Sequence, residues 1–193
     1  MKRLLVLLAM ALALAACSKM AKPPSFQNTD ITGLDYAHGF TLTDQNGQKR
    51  TLADFKDKVV VMFFGYTQCP DVCPTTMAEM AKVMQQLGPQ ADQVQVLFVT
   101  VDPERDTLEL LKQYVPNFDK RFLGLRGDLE QTKAVAKEFK VFYQKVPGSQ
   151  PGSYSMDHTA GMYVFDKSGK VRLFIRNGQS TDAIVSDVKQ LLG

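Results

Sequence analysis

Residues Val59 to Thr75 read VVVMFFGYTQCPDVCPT. The first six, Val59 to Phe64, form an unbroken apolar run of strand length, the pattern of a central strand buried on both faces. Two cysteines follow, Cys69 and Cys73, each with a proline behind it. From Pro74 the spacing becomes helical, with Met77, Met80, Ala81, Met84 and Leu87 on one apolar stripe. A helix opening straight after a buried strand puts its positive end at the sheet's carboxyl edge, where sites collect in open α/β folds. The stretch thus predicts an α/β sheet with two thiols at its functional edge.

The rest of the chain extends this pattern. Phe40 to Leu52, FTLTDQNGQKRTL, reads as an N-terminal β-hairpin turning at QNG. Val94 to Val101 is a second buried strand, followed by the turn DPERDT. Asp106 is the expected N-cap of a helix from Thr107 to about Val115, stopped by Pro116. A short strand at Phe122–Leu125 and a helix at Asp128–Phe139 come next. A short strand at Val141–Gln144 leads into a Gly-, Ser- and Pro-rich loop over 147–153. Strands at Gly161–Phe165 and Val171–Ile175 flank the hairpin turn DKSG, and a helix from Thr181 to Leu192, capped by Ser180 or Thr181, closes the chain. Strand–helix alternation followed by a hairpin and a helix predicts a mixed sheet flanked by helices.

The first residues read differently. Lys2 and Arg3 precede a 13-residue apolar run, Leu4 to Ala16, too short to span a bilayer comfortably and typical of a signal peptide. The run ends in LAAC, Leu14 to Cys17, which resembles a bacterial lipobox. Residues 1–16 are expected to be the lipoprotein signal peptide, Cys17 the lipidated residue, 17–29 a tether, and 30–193 the folded domain. Removing Lys2 and Arg3 from the 23 basic residues leaves 21 against 20 acidic ones, so charge makes no case for nucleic-acid binding. With 45% hydrophobic and 22% charged residues in 193, the chain can bury a substantial core.

If Cys17 carries lipid, the domain holds two cysteines in an oxidising compartment. They are then bridged, cycling, or holding a metal. Their C-x-x-x-C spacing is one residue longer than that of thiol–disulfide oxidoreductases. The prolines bias both cysteines away from the α region, which makes Cys73 the N-cap or its neighbour. There the helix dipole is expected to favour thiolate. Two thiolates at one turn are soft donors suited to Cu(I) or zinc, and to Cu(II) once a nitrogen joins. The chain offers two imidazoles, His38 and His158. His38 reads as a surface or satisfied residue. His158 is expected on a loop before an apolar strand, with Asp157 placed to orient it. The remaining candidates have plain readings. Asp71 is a turn residue, Met77, Met80 and Met84 are packing, and Met156 and Met162 are core. Asp102 to Asp106 is a strand-to-helix loop or part of a partner surface.

CPDVCP (Cys69–Pro74), TVDPERDT (Thr100–Thr107) and DHT (Asp157–Thr159) resemble three signatures of the Sco/SenC family of copper proteins. The likeness runs over roughly residues 30–192. It implies a thioredoxin-like fold, anchored to the bacterial cell membrane and facing the periplasm. It also implies copper held by two cysteines and a histidine, which fall on Cys69, Cys73 and His158. The implied role is a metallochaperone that takes copper from an upstream periplasmic donor. It delivers the metal to the dinuclear site of cytochrome c oxidase subunit II during assembly. Many members have a transmembrane anchor where this chain has a lipobox-like leader. The competing expectation is a periplasmic thiol–disulfide oxidoreductase, with Cys69 and Cys73 as its redox pair and no need for His158. A structural zinc domain is disfavoured, because closed zinc sites take four protein ligands and three are present.

Overall fold

A computed structural model of the chain describes residues 25–193. The leader, Cys17 and most of the tether lie outside the described residues. Ten strands, four α-helices and three short 3-10 turns form the body. Strand β4, Val59–Gly65, is buried at every residue. It runs parallel to β5, Val94–Thr100, in register from Val59↔Val94 to Gly65↔Thr100. On its other side it pairs antiparallel with β9, Gly161–Phe165. The remaining strands of the main sheet are β1 (Thr29–Asp30), β2 (Thr41–Asp44), β3 (Lys49–Thr51), β6 (Leu123–Arg126) and β10 (Val171–Arg176). Their order is β1-β10-β9-β4-β5-β6-β2-β3, so the apolar run of the opening stretch sits in the middle of a mixed sheet.

Four helices complete the body: α1 (Val72–Leu87), α2 (Leu108–Tyr114), α3 (Leu129–Glu138) and α4 (Thr181–Leu192). Met77, Met80 and Met84 are almost wholly buried on α1, as a packing stripe requires. Asp128 caps α3 in a reciprocal box with Gln131, and Ser180 caps α4 through the Ala183 amide. Before β1, the Gln27 and Asn28 amides donate to the buried carboxylate of Asp187 on α4, which ties the incoming chain to the body. No helix among the described residues is long and apolar enough to cross a membrane.

Three local expectations differ from the structure. Helix α1 begins at Val72, so Cys73 is inside its first turn. Pro74 is tolerated there because the first-turn amides have no intrahelical partner to lose. Thr107, not Asp106, caps α2, its Oγ1 accepting from the Leu110 amide at 3.1 Å. The segment ahead of β9 is not a loop. Strands β7 (Tyr143–Pro147) and β8 (Tyr154–His158) pair into a separate two-stranded sheet, closed by the Gly/Ser/Pro segment.

Candidate metal centre

Strand β4 ends at Gly65, and the chain turns through Tyr66 to Cys69 before entering α1. Two anchors shape that turn. The Cys69 amide donates to the Tyr66 carbonyl at 3.3 Å. Asp106 accepts from the Thr67 amide at 3.1 Å and from the Thr67 hydroxyl at 2.6 Å. Asp106 is fully buried, also accepts from Thr100 Oγ1 at 2.6 Å, and its carboxyl is pushed up by that burial. It fastens the cysteine loop to the end of β5. A sequence reading takes it for a helix cap, since an aspartate one residue before a helix looks the same in either role.

Cys69 is half-buried and Cys73 fully buried. The Cys73 amide, one of the orphan donors of α1, points at Cys69 Sγ at 3.4 Å, so the sulfur stands where a capping oxygen would. Burial pushes the Cys73 thiol far above its ordinary value, against a backbone hydrogen bond from Tyr66. The expected low thiol pKa at the helix terminus does not hold for Cys73, which desolvation raises. A metal ion reverses that balance by deprotonating the thiol it binds.

His158 arrives from β8 as its last residue, opposite Tyr143 on β7. Its Nε2 lies 3.5 Å from Cys73 Sγ, and its Nδ1 lies 3.1 Å from the Thr159 carbonyl. A carbonyl only accepts, so Nδ1 carries the proton and Nε2 offers its lone pair toward the sulfur. Phe63 and Tyr66 meet the imidazole edge-on, with ring centroids 6.3 and 6.0 Å away. Burial holds the His158 pKa below the ordinary histidine value, against Thr159 and Asp157, which favours the neutral ring a metal needs. The orienting partner is the Thr159 carbonyl. Asp157 is exposed and acts on the ring through charge alone.

The two sulfurs and the imidazole nitrogen lie within 4.8 Å of one another. Around one ion with metal–sulfur and metal–nitrogen bonds of about 2.3 and 2.0 Å, ligand atoms stand roughly 3.5–4.6 Å apart. The donor set therefore fits one soft or borderline ion without a fold change. The site opens into a groove of about 480 Å³ lined by Tyr66, Cys69, Pro70, Val146, Met156 and His158, among others.

The other candidates take no part. His38 is exposed and engaged at both nitrogens, to Glu138 at 2.8 Å and Asp35 at 3.0 Å. Met156 and Met162 are buried core residues. Asp71 occupies the N-cap position of α1 and its side chain caps no amide. Asp102, which the sequence leaves open as a surface residue, is buried.

Fold and site together define a thioredoxin-like domain that presents a dithiol and an imidazole at the carboxyl edge of its central strands. Comparison with known proteins makes the class specific. The chain belongs to the SCO1/SenC family, whose model matches residues 28–193. It is 36% identical over 153 residues to the mitochondrial SCO2 homologue of Bos taurus, covering 78% of this chain and 58% of the bovine protein. The match to the Mus musculus counterpart likewise spans 60% of that protein's length. Among solved structures, copper-bound ScoI of Bradyrhizobium japonicum superposes with a TM-score of 0.74 at 40% identity, covering 80% of this chain and 98% of the other. A SCO1/SenC lipoprotein of Bacillus anthracis gives 0.72 at 27% identity, covering 88% and 100%.

Proposed function

We propose that this chain is a copper chaperone in which Cys69, Cys73 and His158 bind the metal as cargo. It passes copper to the dinuclear site of cytochrome c oxidase subunit II during assembly. The observation that carries the reading is the convergence of two sulfurs and an oriented Nε2 within 4.8 Å, at the edge of an open groove. Two thiolates alone suit Cu(I), and the added imidazole makes the site competent for Cu(II) as well. A copper-bound relative at 40% identity supports the metal. Three protein ligands leave the ion open to attack, so an acceptor's thiolates or imidazoles can enter from the groove and displace these donors one by one. Loading requires both thiols reduced, because a Cys69–Cys73 disulfide has no thiolate to offer.

Attachment through a lipidated Cys17, with the domain facing the periplasm, is part of this proposal. It rests on the lipobox-like leader and is supported by the lipoprotein relative. An upstream copper donor in the same compartment is then required.

The test is His158→Ala. Changing a residue that merely supports a ligand typically costs 10–100-fold in metal affinity, so losing the ligand should cost about 100-fold or more for Cu(II). The dithiol should remain reactive toward disulfides. Copper(II) binding at parental affinity would refute the ligand assignment and favour a thiol–disulfide oxidoreductase.

A further inference from the structure

The three candidate ligands are not held alike. Cys69 and Cys73 stand at the junction of β4 and α1, built into the main sheet and its core. His158 stands on the β7–β8 hairpin, which has no strand partner in that sheet. A lone two-stranded hairpin is marginally stable in water, so its docking decides where His158 lies. Besides the His158–Cys73 contact, three polar side-chain ties from the hairpin converge on one short loop of the body. The Tyr154 hydroxyl donates to buried Asp102 Oδ1 at 2.9 Å. Arg105 Nη1 donates to the Tyr154 carbonyl at 2.8 Å, and its guanidinium carbon lies over the Tyr154 ring, 3.6 Å from the centroid. Lys145 pairs with Glu104, both about half exposed.

Arg105 also reaches the other side of the site. The same Nη1 donates to Gln68 Oε1 at 3.0 Å, next to Cys69. The guanidinium lies 5.7 Å from the centroid of Tyr66, whose ring meets His158 edge-on. Its Nε is paired to Asp102. Asp102 is in turn fixed to β5 by its amide, which donates to Thr100 Oγ1 at 3.0 Å. Arg105 thus bonds to both ligand-bearing segments.

We propose that Arg105 is a positioning residue, a latch that locks the His158 hairpin onto the cysteine loop and whose opening lets the imidazole leave the metal while both sulfurs stay in place. The inference rests on the copper reading above and adds an order of release: His158 first, then the thiolates. Planarity matters here. A guanidinium stacks on an aromatic ring and bonds several acceptors in fixed directions, whereas an ammonium is a point charge on a flexible stem.

The experiment compares the full-length protein with Arg105→Met and Arg105→Lys. Arg105→Met leaves buried Asp102 without its cation, so Asp102→Asn/Arg105→Met is made alongside to remove that burden and preserve folding. Two readouts are taken. The first is amide hydrogen exchange over residues 143–158 in the metal-free protein. The second is the thiolate-to-copper(II) charge-transfer spectrum after loading with copper(II) alone.

The expected result is at least tenfold faster exchange in the hairpin for the double variant and for Arg105→Lys. Their copper spectra should shift toward that of His158→Ala, with exchange in β4 and β5 unchanged. Parental exchange and spectrum in the double variant would overturn the latch. Full rescue by Arg105→Lys would overturn it too, reducing Arg105 to a counter-charge for Asp102. If the parent itself takes up no copper, the copper reading fails, and the metal-free exchange still decides whether Arg105 holds the hairpin.

Discussion

Gly65→Ala is the perturbation that most sharply tests how the cysteine site is packed. Gly65 is the last residue of β4, buried and paired with Thr100. Its backbone is not in the left-handed region, so alanine meets no conformational barrier and the effect is steric. A Cβ there would stand 2.9 Å from each of Cys73 Sγ, Phe63 Cε1 and Phe98 Cε2. Ordinary carbon contacts lie at about 3.5–4.0 Å, so each neighbour must retreat by roughly 0.6 Å or more. They have nowhere to go. Phe63 and Phe98 are both fully buried and packed on each other at 6.0 Å, and Phe63 also backs His158. Overpacking of this kind costs about 1–3 kcal/mol, while losing glycine's freedom in the unfolded chain returns about 0.4–1 kcal/mol. The net expectation is a loss of about 1–2 kcal/mol, read by urea unfolding of the reduced, metal-free protein. Copper affinity should fall as well, since Cys73 Sγ is forced off its 3.5 Å approach to His158 Nε2. A variant as stable as the parent, with the parent's affinity, would refute the packing account.

Three further outcomes are expected. In the metal-free protein the two histidines should titrate on opposite sides of 6.5 by NMR, His38 above it because of Glu138 and Asp35, and His158 below it because of burial. The sign follows by linkage. His38's contribution to stability is complete below 6.5 and disappears as pH rises through its raised pKa, whereas His158 costs stability as pH falls below 6.5. Matching titrations for the two rings would contradict both environments. Alkylation at pH 8 should mark Cys69 well before Cys73, because Cys73 is buried and its thiol is held protonated; faster labelling of Cys73, read by peptide mass, would reverse the assignment. Asp187→Ala should cost about 1–3 kcal/mol, since it strands the Gln27 and Asn28 amides and Asn28 Nδ2. Amides 27–30 should exchange faster, and unchanged protection there would show that the N-terminal tie lies elsewhere.

The central architecture was legible because its residues answer to one strong term. Val59–Phe64 and Val94–Thr100 are continuous apolar runs, and burial on both faces is the only way to satisfy them. The α1 stripe and the caps at Asp128 and Ser180 followed from periodicity and capping chemistry. What escaped had competing explanations of similar weight. Residues 154–158 do alternate, with Tyr154, Met156 and His158 inward and Ser155 and Asp157 outward, yet five mostly polar residues behind a Gly/Ser/Pro stretch read as loop. Their strand state depends on β7 and on Arg105, which are tertiary partners. Pro74 gave a false boundary because the rule against helix before proline is weak in a first turn that has no amide bond to lose. At Cys73 the dipole favours thiolate and burial opposes it, and that burial is visible only in the packed structure. Cys69, Cys73 and His158 were singled out from soft-donor chemistry and from the family resemblance; the structure adds the lone-pair direction and the groove.

The most direct test is X-ray absorption at the copper edge of the reduced protein loaded with one equivalent of metal. The parent should show two sulfur scatterers and one imidazole nitrogen, and His158→Ala should lose the imidazole signal alone. A parental spectrum without sulfur, or one unchanged by His158→Ala, would contradict this ligand set.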